Sequence, residues 1–182
     1  MRAQIYLRVG MNTDFIIPLN GLTTGKYQYD WKVGKEFFDG FENSEILDAE
    51  LVASVTVEKS GRYLGIDCQV EGDVFVECDR CLEELRMPID VEILLIVKYG
   101  EEESSDEHNE GEREVIFIPE TDAQFDMSQI IYDYVCLDLP IQRVHEDGEC
   151  NPEAVKHLGA GVQVASESDD NNPFSALKDL FK

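Results

Sequence analysis

The chain has 182 residues, 43% of them hydrophobic, which is enough for one globular domain with its own core. Its formal net charge is −24, from 39 acidic and 15 basic residues. Because nucleic-acid affinity depends on Lys and Arg displacing counterions from phosphates, this charge argues against direct RNA binding by the main body of the chain. The same field attracts basic proteins, and the alternative is that the acidic residues only maintain solubility.

The charge is unevenly distributed. Residues 1–35 hold five basic and two acidic residues, so the N-terminal segment is positive and the rest of the chain carries the negative charge. This segment also holds aromatic residues interleaved with Lys and Arg, namely Tyr6, Tyr27, Tyr29 and Trp31. Such a composition can stack on bases, so an RNA-contacting N-terminal segment is an alternative prediction.

Targeting signals are not evident in the sequence. Arg2 and Arg8 interrupt the stretch where a signal peptide needs continuous apolar residues, and no later run approaches the roughly 20 apolar residues of a membrane span. We therefore predict a cytoplasmic protein that has no membrane partner. Five cysteines in a reducing compartment make a disulfide framework an unfavoured interpretation.

Alternating apolar patterns predict a sheet in the middle of the chain. Five strands are predicted, at residues 46–58, 63–70, 74–78, 87–99 and 115–118. Lys59–Gly61 supplies the turn of a first hairpin, and Gly72 separates the second strand from the third. Because the connections between consecutive strands are short, we expect antiparallel pairing.

Two segments near the fourth and fifth strands have contrasting compositions. Residues 101–114 contain eight acidic residues and a single Arg, which predicts a mobile, solvated loop, with an acidic docking loop as the alternative. Asp126–Gln129 resembles a capping box that opens a helix ending at Pro140. The apolar stripe of this helix, which we expect to pack on the sheet, consists of Ile130, Ile131, Tyr134 and Val135. Cys136 on the helix and Cys68 on a strand are expected to be packing residues.

The C-terminal part predicts a tethered helix. Residues 159–172 are small and polar, as is typical of a linker, and Asn172 and Pro173 suit the N-cap and first position of a short helix. The predicted organisation is a single domain at 1–158, the linker, and a helical motif at 173–182. So short a helix is unstable alone. We therefore expect it to latch onto the domain or to bind a partner through Phe174, Leu177 and Phe181.

The cysteines supply a candidate metal site. Cys78 and Cys81 have the spacing at which two thiolates can bind one tetrahedral ion, and His145 and Cys150 could complete a Cys3His structural zinc site. The alternative is that the cysteines pack at a sheet edge and that the His lies on an ordinary loop. A redox role is disfavoured because strands, not a βαβ unit, flank the Cys pair. Arg80, between the two thiols, is a further candidate for partner binding.

Several motifs together resemble one protein family. They are Cys78–Leu82, Leu139–Pro140, Val144–His145, Cys150, and Asn172–Phe174 followed by Leu177. In their order and spacing they resemble the YceD-like bacterial family, described as needed for accumulation of the large-subunit ribosomal RNA. The resemblance covers the chain from about residue 50 to the end. It implies a function in large-subunit biogenesis, and it favours grouping the four candidate metal ligands.

The expected fold is α+β, with an antiparallel sheet, one packed helix, an irregular Cys/His segment that folds back near Cys78, and the tethered C-terminal helix. The sequence shows neither a nucleophile beside a base nor a phosphate-binding loop, so we predict a non-catalytic protein. We expect it to support accumulation of 23S rRNA by binding a basic ribosomal or assembly protein, with the rRNA affected indirectly. An RNA-processing hydrolase is the weakest alternative.

Overall fold

The computed structural model describes residues 7–9, 15–42, 44–61, 63–100, 109–156 and 158. The strands in these residues are β1 (Leu7–Val9), β2 (Ile16–Pro18), β3 (Gly25–Gly34), β4 (Ile46–Ser60), β5 (Tyr63–Glu77), β6 (Glu84–Tyr99), β7 (Asn109–Glu110), β8 (Arg113–Ile118) and β9 (Gln124–Asp126). The helices are α1 (Lys35–Phe38), α2 (Ser128–Asp138) and α3 (Pro152–Val155).

The strands of the described residues form one large sheet and one small one. The large sheet has seven strands in the order β1-β3-β4-β5-β6-β8-β7, and β2 pairs separately with β9. The central pairs β3–β4, β4–β5 and β5–β6 are antiparallel, as predicted. The pairs β1–β3 and β6–β8 are parallel, so the sheet is mixed toward its edges. The α+β class is confirmed.

One face of the large sheet is closed by other elements. Its buried side chains alternate along the central strands and include Leu51, Ala53, Val55 and Val57 of β4, Leu64, Ile66, Cys68 and Val70 of β5, and Ile89, Ile93, Leu95 and Val97 of β6. Phe38 of α1, Phe125 of β9 and Ile131 of α2 belong to the same core cluster. Helices α1 and α2 and the β2–β9 pair therefore form a second layer over this face.

The other face, which we call the open face, carries the side chains that alternate with the buried ones. One row across it consists of Lys32, Val52, Glu71 and Asp90, all of them exposed. An antiparallel sheet with one buried face and one solvated face shows this clean alternation of apolar and polar residues. The open face is consequently a regular, solvated surface.

Strand β5 corrects one prediction. The sequence predicted two strands separated at Gly72, but residues 63–77 form one continuous strand paired with β4 and β6 along its whole length. Gly72 has φ 138°, and a Cβ at this position would lie 2.2 Å from the Glu50 carbonyl oxygen. The glycine is needed for this close approach of backbones and does not mark a turn.

Strand β3 was not predicted, and its burial weakens the RNA-contacting alternative. Trp31 is 0% exposed and Tyr29 is 4% exposed, both on the closed face. Tyr27 is half-buried, and its hydroxyl donates to the Thr23 carbonyl oxygen at 3.0 Å. Trp31 and Tyr29 therefore cannot stack on bases, because they already pack in the core. Tyr6 lies outside the described residues.

Helix α2 matches the prediction in position and in packing. Its Ile131 and Val135 are buried, and it ends before Pro140. The Asp126 carboxylate accepts a hydrogen bond from the Ser128 N–H at 2.8 Å. Gln129 does not complete the capping box, since its amide donates to Asp133 within the helix.

The acidic segment and the C-terminal part are described only in part. Residues 109–110 and 113–118 form a hairpin at the sheet edge, whereas a loop was predicted over the whole of 101–114. The rest of that loop, the linker at 159–172 and the predicted helix with Phe174, Leu177 and Phe181 lie outside the described residues. Among the described helices, none is long and apolar enough to cross a membrane.

Candidate metal centre

The first half of the candidate site is the connection between β5 and β6. The Cys78 N–H donates to the Glu83 carbonyl oxygen, and the Leu82 N–H donates to the Cys78 carbonyl oxygen, both at 2.9 Å. These two bonds close a tight turn over residues 78–83. The turn brings both Cys78 and Cys81 to the buried side, where they are 0% and 7% exposed.

The second half is the irregular segment after α2. The Asp79 N–H donates to the Arg143 carbonyl oxygen at 2.8 Å, and the Arg143 N–H donates to the Asp79 carboxylate at 2.7 Å. The Arg143 guanidinium also donates to the Glu45 carboxylate at 2.7 Å. These three hydrogen bonds attach the segment to the turn and to the start of β4. It explains how residues that are 64 positions apart in the chain become neighbours.

Helix α3 fixes the end of this segment. The Asn151 side-chain oxygen accepts a hydrogen bond from the Glu153 N–H at 2.9 Å, which caps the helix, and Pro152 takes its first position. The Asn151 amide also donates to the Glu83 carboxylate at 2.6 Å. Cys150 is therefore held directly beside the turn, and it is 8% exposed.

The four predicted ligands converge. The sulfur atoms of Cys78, Cys81 and Cys150 and a ring nitrogen of His145 all lie within 4.8 Å of one another. The Cys78 and Cys150 sulfurs are 3.9 Å apart, and the His145 Nδ1 lies 3.4 Å from the Cys81 sulfur and 3.9 Å from the Cys150 sulfur. Ligands about 2.3 Å (S) and 2.0–2.1 Å (N) from a tetrahedral zinc ion are separated by roughly 3.5–3.8 Å. The observed spacing fits a metal ion at the centre.

The orientation of His145 also suits metal binding. Its Nε2 lies 3.0 Å from the Glu84 carbonyl oxygen. Because a carbonyl oxygen can only accept, Nε2 carries the hydrogen, and in the neutral ring Nδ1 then presents a lone pair toward the thiols. Metal-binding histidines commonly donate their other N–H in this way, which fixes the ring and its tautomer.

The electrostatics of the site favour a thiolate at Cys78. Burial of the sulfur acts to raise the pKa of Cys78, but the backbone N–H groups of Arg80, His145 and Cys81 and the imidazole of His145 together lower it to about 6. The hydrogen bond to Cys78 in turn raises the pKa of His145. Burial raises the pKa of Cys150. A thiol with a lowered pKa is readily deprotonated, as metal ligation requires.

The four candidate ligands match the composition of a closed, structural zinc site. Three thiols and one imidazole fill the four positions of a tetrahedral ion, whereas catalytic zinc sites keep a position for water. The thiols form a small buried cluster, and the side chains that pack against it are Leu85, Val144, Ala154 and Val155. Leu85 also packs against the main core. The other cysteines lie elsewhere: Cys68 is in the main core and Cys136 is half-buried on α2, as predicted.

Comparison with known protein families identifies the chain. The family model described as "Large ribosomal RNA subunit accumulation protein YceD" matches residues 66–181, a region that contains all four candidate ligands. The chain belongs to this family. No match was found among curated proteins or among solved structures. Membership in the YceD family gives the chain a role in accumulation of the large-subunit ribosomal RNA, as the resemblance implied.

The surroundings of this YceD-family site include residues that the sequence did not single out. Glu84 holds the His145 ring, and Arg143 attaches the second half of the site to the first. A contact to a backbone carbonyl produces no sequence pattern, and an Arg in a loop is usually solvated. Neither residue could therefore be predicted to support the site. Arg80, which was predicted to bind a partner, lies at the surface with its guanidinium 3.9 Å from the Asp147 carboxylate. No contact of Arg80 with a partner follows from this position.

Proposed function

We propose that this protein is a non-catalytic factor that supports accumulation of the large-subunit rRNA by binding a basic ribosomal or assembly protein in the cytoplasm. Membership in the YceD family supports the pathway. The net charge of −24 supports the class of partner, because an acidic protein attracts basic proteins and repels phosphate. The rRNA effect then follows indirectly, since the partner is delivered to, or kept ready for, the growing subunit.

The charges of the open face are the reason for proposing a basic partner. The central strands present to solvent the carboxylates of Glu50, Glu58, Asp67, Glu71, Asp73, Asp90 and Glu92. Lys26, Arg86 and Arg113 form ion pairs with Glu58, Asp73 and Asp67. Carboxylates remain in excess over cations in the middle of the face. A surface of this sign favours Lys- and Arg-rich proteins over nucleic acid.

The closed ligand set supports the non-catalytic part of the proposal. Cys78, Cys81, His145 and Cys150 would hold a zinc ion and leave no position for a substrate or an activated water. Bound zinc would tie the segment around Cys150 to the end of β5, which stabilises this end of the sheet. The cofactor proposed for this protein is therefore structural zinc.

The proposal is tested in cells and with purified protein. Cells that lack the gene should have a lowered ratio of large-subunit to small-subunit rRNA, and the intact gene should restore it. The tagged protein should co-purify with basic large-subunit proteins at low salt and release them at moderate salt, because exposed charges beyond about 10 Å are largely screened at 0.1 M. Mass spectrometry identifies these partners.

Two results would contradict the proposal. Nanomolar binding of the purified protein to bare rRNA fragments at physiological salt would replace the basic protein with RNA as the direct partner. A normal rRNA ratio in cells that lack the gene would remove the role in rRNA accumulation altogether. If substitution of Arg2, Arg8 and the exposed Lys32 by Glu abolishes the rRNA effect while the melting temperature is unchanged, the N-terminal segment is the contact site.

A further inference from the structure

An open cavity of about 390 Å³ adjoins the candidate metal centre. Leu47 at the start of β4 and Leu82 in the Cys78–Glu83 turn are the large apolar side chains of its lining. Carboxylates from Glu45, Glu77 and Asp79 also line it. The volume lies within the roughly 300–1,000 Å³ typical of ligand pockets. We call this cavity the leucine cavity.

The exposed Leu82 lies in a strained backbone conformation that costs the fold free energy. Its φ is 61°, in the left-handed region that is unfavourable for a side chain with a Cβ, and its side chain is 71% exposed. Glycine would adopt this backbone without strain. Leucine thus strains the turn, and so exposed a side chain gains little from burial within the described fold. An observed backbone outlier of this kind points to a functional site.

Leu47 reaches the same cavity through a second backbone irregularity. The register of β4 against β5 shifts between Ile46 and Asp48, so Leu47 is an extra residue in the strand. The Lys35 ammonium donates to the Leu47 carbonyl oxygen at 2.9 Å, which holds this bulge in place. Bulges redirect side chains next to functional sites. Leu47 is 37% exposed. In an uninterrupted strand, exposed and buried side chains would alternate at this point.

The charges around the leucine cavity select the kind of partner. Among the lining residues, the three carboxylates face one cation, Arg143, whose guanidinium contacts Glu45 at 2.7 Å and Asp79 at 3.7 Å. The Lys35 ammonium, bonded to the Leu47 carbonyl oxygen, adds a second positive charge nearby. Negative charge remains in excess. A phosphate backbone is repelled by such a rim, whereas Lys and Arg side chains are attracted.

We propose that the leucine cavity binds a basic peptide segment of the partner protein, with one apolar side chain between Leu47 and Leu82 and flanking Lys or Arg side chains beside the carboxylates. This inference rests on the proposed function and names the site at which the basic partner docks. Because Cys81 directly precedes Leu82, a metal bound by Cys81 would also fix the turn that presents the leucine. Docking therefore depends on an intact metal centre.

The test is an array of short peptides that tile the large-subunit ribosomal proteins, probed with the full-length protein in zinc-containing buffer. Wild-type protein should bind peptides in which Lys or Arg flank an apolar residue. The Leu82→Gly variant should weaken the best peptide at least tenfold, while its melting temperature stays equal or rises because the turn is relieved of strain. Leu137→Ala is the matched control, since Leu137 is an exposed leucine on α2, 79% exposed. It should bind as wild type does.

Several outcomes would overturn the leucine cavity as the docking site. The Leu82→Gly variant could bind the peptide as wild type does, or show a lowered melting temperature or zinc content. The wild-type protein could bind equally well when the apolar residue of the peptide is replaced by Ser, or an rRNA fragment could displace the peptide. Cells separate this failure from that of the proposed function. If loss of the gene lowers the rRNA ratio and Leu82→Gly restores it fully, only the cavity is wrong.

Discussion

In the core of the sheet, Ile66, Ile93 and Val97 are completely buried among other aliphatic side chains of three long strands. The Cys/His module, by which we mean residues 78–83 and 143–155, has only a few half-buried apolar side chains around its thiols. Burial of apolar area stabilises the first region. The second is held by hydrogen bonds of its turns and by Arg143, and it brings four candidate metal ligands together. The two regions should therefore respond to different perturbations.

A core truncation should have the largest effect on the first region. Ile66→Ala in the central strand β5 should lower the free energy of unfolding by about 2–5 kcal/mol, because a fully buried side chain leaves a cavity. Chemical denaturation measures this change. Val52→Ala, on the open face at 43% exposure, is the control and should change stability by less than about 1 kcal/mol. Equal losses would mean that the open face is covered in solution.

Gly72→Ala probes the backbone contact between β4 and β5. The added Cβ would meet the Glu50 carbonyl oxygen at 2.2 Å in a left-handed conformation, so one strand must move. We expect a loss of about 1–3 kcal/mol. Gly65→Ala on the same strand is the comparison, since no atom lies within 4 Å of a Cβ built there. A melting curve that is unchanged for Gly72→Ala would contradict the continuous strand.

The buried thiol of Cys68 makes the stability of the core depend on pH. Burial raises the pKa of Cys68 to about 12 from an ordinary value of 9.0. Its contribution is complete below pH 9 and is lost as the pH rises toward 12, because the unfolded chain alone releases the proton. Between these values the slope is about 1.4 kcal/mol per pH unit. Chemical denaturation at pH 8 and pH 10 should show this loss in the free energy of unfolding. Cys68→Ala should reduce the difference between the two pH values as well as the stability at each.

The smallest effect is expected at the surface of the module. Arg80 lies 3.9 Å from the exposed Asp147 carboxylate, and exposed ion pairs contribute little. Arg80→Ala should change the free energy of unfolding by no more than about 0.5 kcal/mol, with a correspondingly small shift of the melting temperature. A large loss would show that Arg80 supports the module, and would end its candidacy as a partner-binding residue.

The sequence predicted the elements whose signal is local. Strands β4 and β6 and helix α2 show their periodicity directly, because alternation or a helical stripe extends over ten residues or more. The same local signal was misread at β3, where Tyr29 and Trp31 alternate with charged residues. Alternation places the aromatics on one face and the charges on the other, which is a half-buried strand and not a surface with interleaved aromatic and basic side chains.

Other features depend on contacts between distant parts of the chain. The parallel pairing of β6 with β8 was not predicted, because a short separation along the chain favours antiparallel pairing. Strand β7 pairs with β8 on the side away from β6. Gly72 was interpreted as a break because its need for space arises from β4. The four candidate ligands were grouped from the Cys spacing and the family resemblance, and the structure brings them within 4.8 Å of one another. The left-handed Leu82 and the bulge at Leu47 have no comparable local pattern.

Metal content tests the central claim about the Cys/His module most directly. Elemental analysis of protein purified without chelator should find about one zinc per chain, and Cys78→Ser should lower both the zinc content and the melting temperature, because metal binding is coupled to folding of the site. Cys68→Ser is the matched control: it changes a buried thiol outside the site and should retain zinc. Absence of metal from the freshly purified wild-type protein, with Cys78→Ser and Cys68→Ser equally destabilised, would contradict the account and leave the thiols as packing residues.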